Sequence, residues 1–362
     1  MIRVLHVVTY MGRGGLETML MNYYRNIDRS KVQFDFLVHR DFEADYDKEI
    51  LSLGGKIYHV SRLIPWSKAY KEELCDFFAE HPEYKIVHVH QDCLSSVALE
   101  CAQKCGIPVR IAHSHNSNQD KNLKYIIKKY YMKKIPDYAT DLFACGSEAG
   151  KWMFRDSGFK VLPNAIDTGT YVFNDSVRDE VRKEFCIDGD FLIGHIGRFN
   201  PQKNHSFLID IFEECLKINS NVKLMLVGDG EDKNKIQEKV KNLGIDKNVI
   251  FTGVRLDVNR LLQAMDVFVF PSLYEGIPVT MIEAQASGIQ CVISDKVPNE
   301  SVITEEMVTV KKLSDSAEEW AECILSKKDS ERKDASDDIK KHDYDIKSAA
   351  KRLEEFYIGK AK

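Results

Sequence analysis

Ile2-Arg3-Val4-Leu5-His6-Val7-Val8-Thr9-Tyr10-Met11-Gly12-Arg13-Gly14-Gly15-Leu16-Glu17 is the stretch that decides the fold. An apolar, β-branched run over 2–8 breaks at a glycine-rich turn and passes directly into an amphipathic helical pattern over 16–27. Glycines at such a turn let the backbone approach a ligand closely and turn helix N-terminal N–H groups toward an anion. The spacing Gly12-x-Gly14-Gly15 is not G-x-G-x-x-G and carries no Walker lysine, so a plain tight turn accounts for these glycines equally well.

The same unit recurs along the chain. Strand patterns at 33–38, 56–60, 86–90, 109–112 and 142–145 alternate with helical patterns at 68–79, 95–105 and 123–134. A second series starts after Val161-Leu162-Pro163-Asn164, with strands expected at 192–196, 223–227, 249–251, 267–270 and 290–293 and helices between. This alternation belongs to parallel sheets covered on both faces. The fold class is therefore α/β, with two Rossmann-like domains whose boundary falls at 163–175, where Pro, Asn, Gly and Asp break the periodicity. Residues 327–341 are charged and nearly free of large apolar side chains, which predicts a solvated connector or a loose helix. Residues 346–358 are amphipathic again and predict a final docking helix. A ligand is expected in the cleft at the strand C-termini.

The 362 residues also predict two domains, at roughly 150 residues each. With 44% apolar and 30% charged residues the composition is that of a soluble globular protein. Fifty-one Lys and Arg against 56 Asp and Glu leave a net charge of −5, which gives no reason to expect nucleic acid as a partner. No apolar run approaches the ~20 residues that span a bilayer. The first eight residues are too short and too interrupted for a signal peptide. None of the nine cysteines forms a C-x-x-C pair, so free thiols in a reducing cytoplasm are expected rather than a disulfide framework.

Two His-x-His pairs, His88-Val89-His90 and His113-Ser114-His115, end successive strand patterns, and a period of two puts both members of each pair on one face. No third histidine stands near either pair in sequence, and Asp92 and Asp120 are the nearest carboxylates. A metal site is thus disfavoured against strand-end histidines that orient a substrate, foremost His115 before Asn116. Gly197-Arg198-Phe199-Asn200-Pro201-Gln202-Lys203-Asn204 follows a strand directly. Its arginine and lysine can neutralise adjacent phosphates, and cations at a helix start call for an anion. In Glu275-Gly276-Ile277-Pro278 the proline marks a helix start, so N–H groups of Gly276 and Ile277 are expected to face a phosphate. Glu283 lies more than one turn in, placed for vicinal hydroxyls. Two carboxylates and a phosphate cradle suit a nucleotide sugar.

Together these segments resemble the group 1 retaining glycosyltransferases of GT-B fold, in particular those that build capsular and exopolysaccharides. The resemblance spans nearly the whole chain. It rests on Gly14-Gly15-x-Glu17, Ala112-His113-Ser114-His115-Asn116, Pro163-Asn164-Ala165-Ile166-Asp167, Gly197-Arg198 with Lys203-Asn204, Val227-Gly228-Asp229-Gly230, Phe251-Thr252-Gly253-x-Arg255, and the E-x7-E pair Glu275 and Glu283. Asn204 and Pro278 stand where glycine is commoner. The resemblance implies an acceptor-binding domain over 1–165, to which a helix over 346–362 returns, and a nucleotide-sugar-binding domain over 166–345, the two facing across a cleft. It implies Arg198 and Lys203 on the donor diphosphate, Glu283 on the ribose hydroxyls and Glu275 on the donor sugar. Gly14 and Gly15 would line the facing wall, His115 would touch the sugar or orient the acceptor, and Gly228 and Arg255 would complete the donor site. The expected donor is a UDP-sugar and the expected acceptor a glycan or polyprenyl-diphosphate-linked glycan. No essential metal is expected, because Arg198 and Lys203 take the charge-neutralising role; the D-x-D spelling Asp188-Gly189-Asp190 falls in a linker-like context.

Six lysines and no acid lie between Lys121 and Lys134, interleaved with Tyr125, Ile126, Ile127, Tyr130, Tyr131 and Met132. That pattern fits an anionic membrane surface, hence a cytoplasmic protein peripheral on the inner face of the membrane, as well as a helix packed on its own domain. Three other readings stay open: a UDP-sugar epimerase on the same architecture, a histidine-metal hydrolase, and a non-catalytic partner subunit of a transferase.

Overall fold

The computed structural model describes residues 1–116, 123–187 and 189–361, the side chains of 123 and 124 excepted. The chain divides into two units, Met1–Ala165 with Asp345–Lys362, and Ile166–Tyr344.

The first unit holds one sheet built from β1 (Ile2–Val7), β2 (Val32–Val38), β3 (Ile57–His59), β4 (Ile86–Val89), β5 (Val109–Ser114), β6 (Asp141–Ala144) and β7 (Lys160–Val161). Its order is β3-β2-β1-β4-β5-β6-β7, and its pairings are parallel. The second unit holds β8 (Phe191–Ile196), β9 (Val222–Val227), β10 (Val249–Gly253), β11 (Val267–Phe270), β12 (Gln290–Ser294) and β13 (Val308–Lys311), in the order β10-β9-β8-β11-β12-β13, again parallel. In each sheet the winding reverses beside its first strand, between β1 and β4 and between β8 and β11. A doubly wound sheet opens its ligand crevice at such a reversal, outside the strands' carboxyl ends.

Strict alternation explains why the second sheet is covered on both faces. Ile193, Leu224, Leu226, Val267, Val269 and Val292 belong to one apolar core, and their neighbours Leu192, Met225, Phe268, Phe270, Cys291 and Ile293 to the other. In the first sheet one face reads Val4-His6-Val8, Ile86-His88-His90 and Ile111-His113-His115 at every second position. Its apolar members join Phe34, Phe36 and Phe143 in a core that the last helix, Ile346–Lys360, completes. That helix starts where the Asp345 carboxylate accepts the Ser348 N–H at 3.1 Å, and it buries Ile346, Ala349, Ala350, Leu353 and Tyr357. Glu354 accepts the Asp28 N–H at 3.0 Å, and Lys360 pairs with Asp141 at 2.7 Å.

Two strands escape the sequence pattern. β7 and β13 are short edge strands, half-buried or exposed, and carry little of the apolar signal that marks the central ones. The stretch 327–341 is also not simply solvated. Arg332 donates to the carbonyls of Ser287 at 2.7 Å, Leu262 at 2.9 Å and Gln263 at 3.1 Å, and to that of Met265. The short helix Ser336–Lys341 buries Ile339. A charged side chain can tie down a connector that composition alone reads as loose, because carbonyl groups at helix ends need donors. Among the described residues no helix is long and apolar enough to cross a membrane.

Candidate functional site

In the second unit the crevice is built by the loops after β8 and β11. Beyond β8 the Asn200 side chain accepts the Lys203 N–H at 3.2 Å and closes one tight turn, Pro201–Lys203. Asn204 then takes φ +56°, the left-handed region that glycine enters freely and asparagine tolerates. This explains how asparagine stands where the resemblance has glycine. Its side chain also donates to the Pro271 carbonyl at 3.2 Å and so ties the β8 loop to the β11 loop. Gly228 sits at φ +136°, and a Cβ there would lie 2.2 Å from the Gly197 carbonyl oxygen, so only glycine lets the β9 end close on the β8 loop.

This backbone brings Lys203 and Glu275 together. Lys203 Nζ lies 2.6 Å from Glu275 Oε1 and 4.5 Å from the centre of the Phe270 ring. Gln202 Nε2 donates to Glu275 Oε2 at 3.2 Å and to the Tyr274 carbonyl at 2.9 Å. Glu275 is buried, and a buried carboxylate without a cation beside it would cost several kcal/mol, on the order of 3–5. Arg198, on the same loop, is exposed and has no side-chain hydrogen bond or ion pair among the described residues. Gly276 and Ile277 are buried just ahead of the helix Val279–Ala286, whose N-cap is Pro278. Glu283 is buried in that helix. Tyr171 donates its hydroxyl to Glu283 Oε1 at 2.7 Å, yet burial still pushes the carboxyl up to about 7. Arg255 is engaged elsewhere: it forks onto Asp257 with two bonds of 2.8 Å and reaches Glu184 at 3.2 Å.

In the first unit Gly14 caps the helix Gly15–Asn26, and both glycines are exposed. A Cβ on Gly15 would meet nothing within 4 Å, so packing within the unit does not call for glycine there. His115 follows β5 and is anchored through the buried Asp92 carboxylate, which accepts the Asn116 amide at 3.1 Å and the His115 N–H.

The parallel register supplies a histidine that sequence spacing hid. His6 pairs with His88 across β1 and β4, so five histidines gather where two pairs were expected. The only signal in the sequence is the inward position of His6 between Val4 and Val8. Ring nitrogens of His6, His88 and His90 lie within 4.8 Å of one another, as do those of His90, His113 and His115. An all-nitrogen set of this kind has the chemistry of a transition-metal site. Two features describe what the layer does with these nitrogens. His6 Nδ1 lies 3.0 Å from His90 Nε2 and His90 Nδ1 lies 2.9 Å from His115 Nε2, so these nitrogens are spent on each other. The rings also stack, His88 on His113 at 17° and on His90 at 25°. Burial pushes His6 and His115 down to about 3 and holds His88, His90 and His113 well below the usual range, so the layer is neutral.

The helix Leu123–Met132 carries the basic stretch. Ile126, Ile127 and Tyr130 are exposed on it, whereas Met132 and the following Ile135 are buried. Lys121, Asp120 and Asp188 lie outside the described residues.

The model of glycosyl transferases group 1 matches residues 177–343, and that of glycosyltransferase family 4 matches residues 13–170. A protein named as a glycosyltransferase, EpsF of Bacillus subtilis (strain 168), is 37% identical over 335 residues, which is 89% of this chain and 86% of that one. The chain is a group 1 glycosyltransferase. This glycosyltransferase is also 24% identical over 379 residues to the capsular polysaccharide biosynthesis glycosyltransferase CapH of Staphylococcus aureus, covering 99% of each. Anabaena HepE, solved in complex with UDP and glucose, superposes with a TM-score of 0.82 at 16% identity, over 98% of this chain and 99% of that one. That likeness shows the fold, GT-B.

Proposed function

We propose that this glycosyltransferase moves a sugar, hexose or N-acetylhexosamine, from a UDP-sugar to a glycan or polyprenyl-diphosphate-linked acceptor in the synthesis of a surface polysaccharide, with retention of configuration. The observation that carries the donor site is the meeting of Lys203 with Glu275 at the β8–β11 reversal, beside the unpartnered Arg198. Lys203 and Arg198 hold the diphosphate, and the N–H groups of Gly276 and Ile277 at the helix start add to them. Glu283 takes the ribose hydroxyls and Glu275 the donor sugar, exchanging part of its bond to Lys203 for sugar hydroxyls. His115, Gly14 and Gly15 come from the first unit, which binds the acceptor. Gly228 shapes the donor loop, and Arg255 borders the base once its acidic partners release it. CapH supports the polysaccharide reading by its name, and HepE supports UDP by its bound ligands.

Charge develops on the leaving phosphate as the C1 bond stretches, and the cationic loop and helix N-terminus stabilise it. Front-face attack by the acceptor needs no protein nucleophile. The same cations make a metal dispensable, so turnover is expected to survive EDTA.

UDP release from a panel of UDP-sugars, with and without acceptor, tests the reading. Lys203→Ala and Arg198→Ala should each lower kcat/KM by about 10²-fold or more. Unchanged rates would remove the donor-site assignment, and conversion of donor without acceptor would favour the epimerase. For the membrane, exposed Ile126, Ile127 and Tyr130 amid Lys128, Lys129, Lys133 and Lys134 support docking on anionic lipid. Replacing Ile126 and Tyr130 by Ser should abolish cosedimentation with anionic vesicles at low salt; no sedimentation of the parent chain would dismiss the surface.

A further inference from the structure

His115 ends a hydrogen-bonded row that begins deep in the first unit. His6 Nδ1 meets His90 Nε2 at 3.0 Å, and His90 Nδ1 meets His115 Nε2 at 2.9 Å. Each imidazole in the row is neutral and therefore carries one N–H and one lone pair. A row of neutral imidazoles has two polarities, and choosing the tautomer at one end sets all three.

The buried end makes the choice. His6 Nε2 finds no partner among the described residues and lies amid Phe34, Phe36 and Tyr357. If the protons ran inward, His6 would keep its N–H at Nε2, a donor orphaned in an aromatic wall. If they run outward, only a lone pair is left without a partner there. Orphaned buried N–H groups are the rarer and costlier case. The protons therefore run outward: His6 Nδ1–H donates to His90 Nε2, and His90 Nδ1–H donates to His115 Nε2. His115 is left with its proton on Nδ1, the nitrogen outside the row.

We infer that His6 and His90 are positioning residues that fix His115 as an Nδ1–H hydrogen-bond donor toward a substrate oxygen. This rests on the proposed placement of His115 at the substrate. The Asp92 carboxylate accepts the His115 backbone N–H and the Asn116 side-chain amide, so the tautomer and the backbone that carries the ring are set by separate devices. A donor of fixed polarity discriminates sugars at the position it faces, because a hydroxyl or carbonyl oxygen satisfies it and a bare carbon leaves it unpaired.

The test is long-range 1H–15N correlation of histidine-labelled full-length protein, paired with kinetics. The parent should show His115 as the Nδ1–H tautomer. His90→Leu should let His115 move toward Nε2–H and lower kcat/KM by roughly tenfold or more. His90→Asn, whose amide nitrogen stands where His90 Nδ1 stood, should restore the Nδ1–H signature and most of the rate. An Nε2–H tautomer in the parent, an unmoved tautomer in His90→Leu, His90→Asn as slow as His90→Leu, or a spectrum that changes on adding chelator would each overturn the inference. Should His90→Leu fail to fold, the parent and His90→Asn spectra still decide. The spectra need no turnover: an Nδ1–H tautomer together with a His115→Ala variant of full activity would sustain the row and dismiss the proposed role of His115 instead.

Discussion

Glu283 shows what burying a carboxyl costs a protein. With its carboxyl raised from 4.5 to about 7 by burial, the native state keeps a proton that the unfolded chain releases between those pH values. The unfolded state therefore binds fewer protons in that window, and stability falls as pH rises through it, by about 3 kcal/mol in all. Glu283→Gln keeps an acceptor for the Tyr171 hydroxyl and removes the titration. Urea unfolding should find the variant more stable than the parent by up to about 3 kcal/mol at pH 8.5 and equal to it near pH 4.5. A pH-independent difference would mean that the carboxylate is not penalised by burial. Asn204 makes a smaller case: Asn204→Gly and Asn204→Leu both lose the bond to Pro271, but glycine keeps φ +56° without strain and should change stability by less than about 1 kcal/mol, whereas leucine adds left-handed strain of about 1–2 kcal/mol. Motif spacing singles out Lys203, Glu275 and Glu283 one by one as candidates. It could not show that Lys203 bonds to Glu275 or Tyr171 to Glu283, because pairings between loops depend on strand order, which local pattern does not contain.

Central elements are legible because burial on both faces leaves a continuous apolar record, as in Phe191–Ile196, while edges and connectors are not. Arg332 is the sharpest example. In sequence it stands in a charged run, and in the structure burial lowers its pKa to about 10 while its guanidinium serves four carbonyls, those of Leu262, Gln263, Met265 and Ser287. Arg332→Ala should cost about 2–3 kcal/mol, because it strips donors from buried carbonyl groups and frees the connector. Hydrogen exchange should then rise at the ends of Val258–Ala264 and Val279–Ala286 and leave Ile346–Lys360 unchanged. Lysine at the same position holds the charge but reaches fewer carbonyls, so it should recover only part of the loss. The basic helix resists a pure sequence reading for a related reason: its exposed Ile126 and its buried Met132 carry the same apolar signal.

At the scale of the whole chain, the last helix belongs to a unit that the chain left 180 residues earlier in sequence, between Ala165 and Asp345. Ile346, Leu353 and Tyr357 bury large side chains in the first core, worth roughly 5–9 kcal/mol together. The Tyr357 hydroxyl also lies 2.7 Å from His88 Nδ1, inside the histidine layer. A domain's whole stability is of that size, about 5–15 kcal/mol. A chain ending at Tyr344 should therefore lose cooperative folding of the first unit while the second, whose cores need nothing beyond Tyr344, persists. Calorimetry should show one transition lost and one kept, and the kept transition should still rise in temperature with UDP and EDTA together, since a ligand of a native state stabilises that state. Sugar transfer should be gone, because the roles proposed for His115, Gly14 and Gly15 fall in the unit that has unfolded. A truncated chain with both transitions intact would make the helix a decoration of a core already complete. One in which the UDP response vanished along with the first transition would move the nucleotide site out of the second unit.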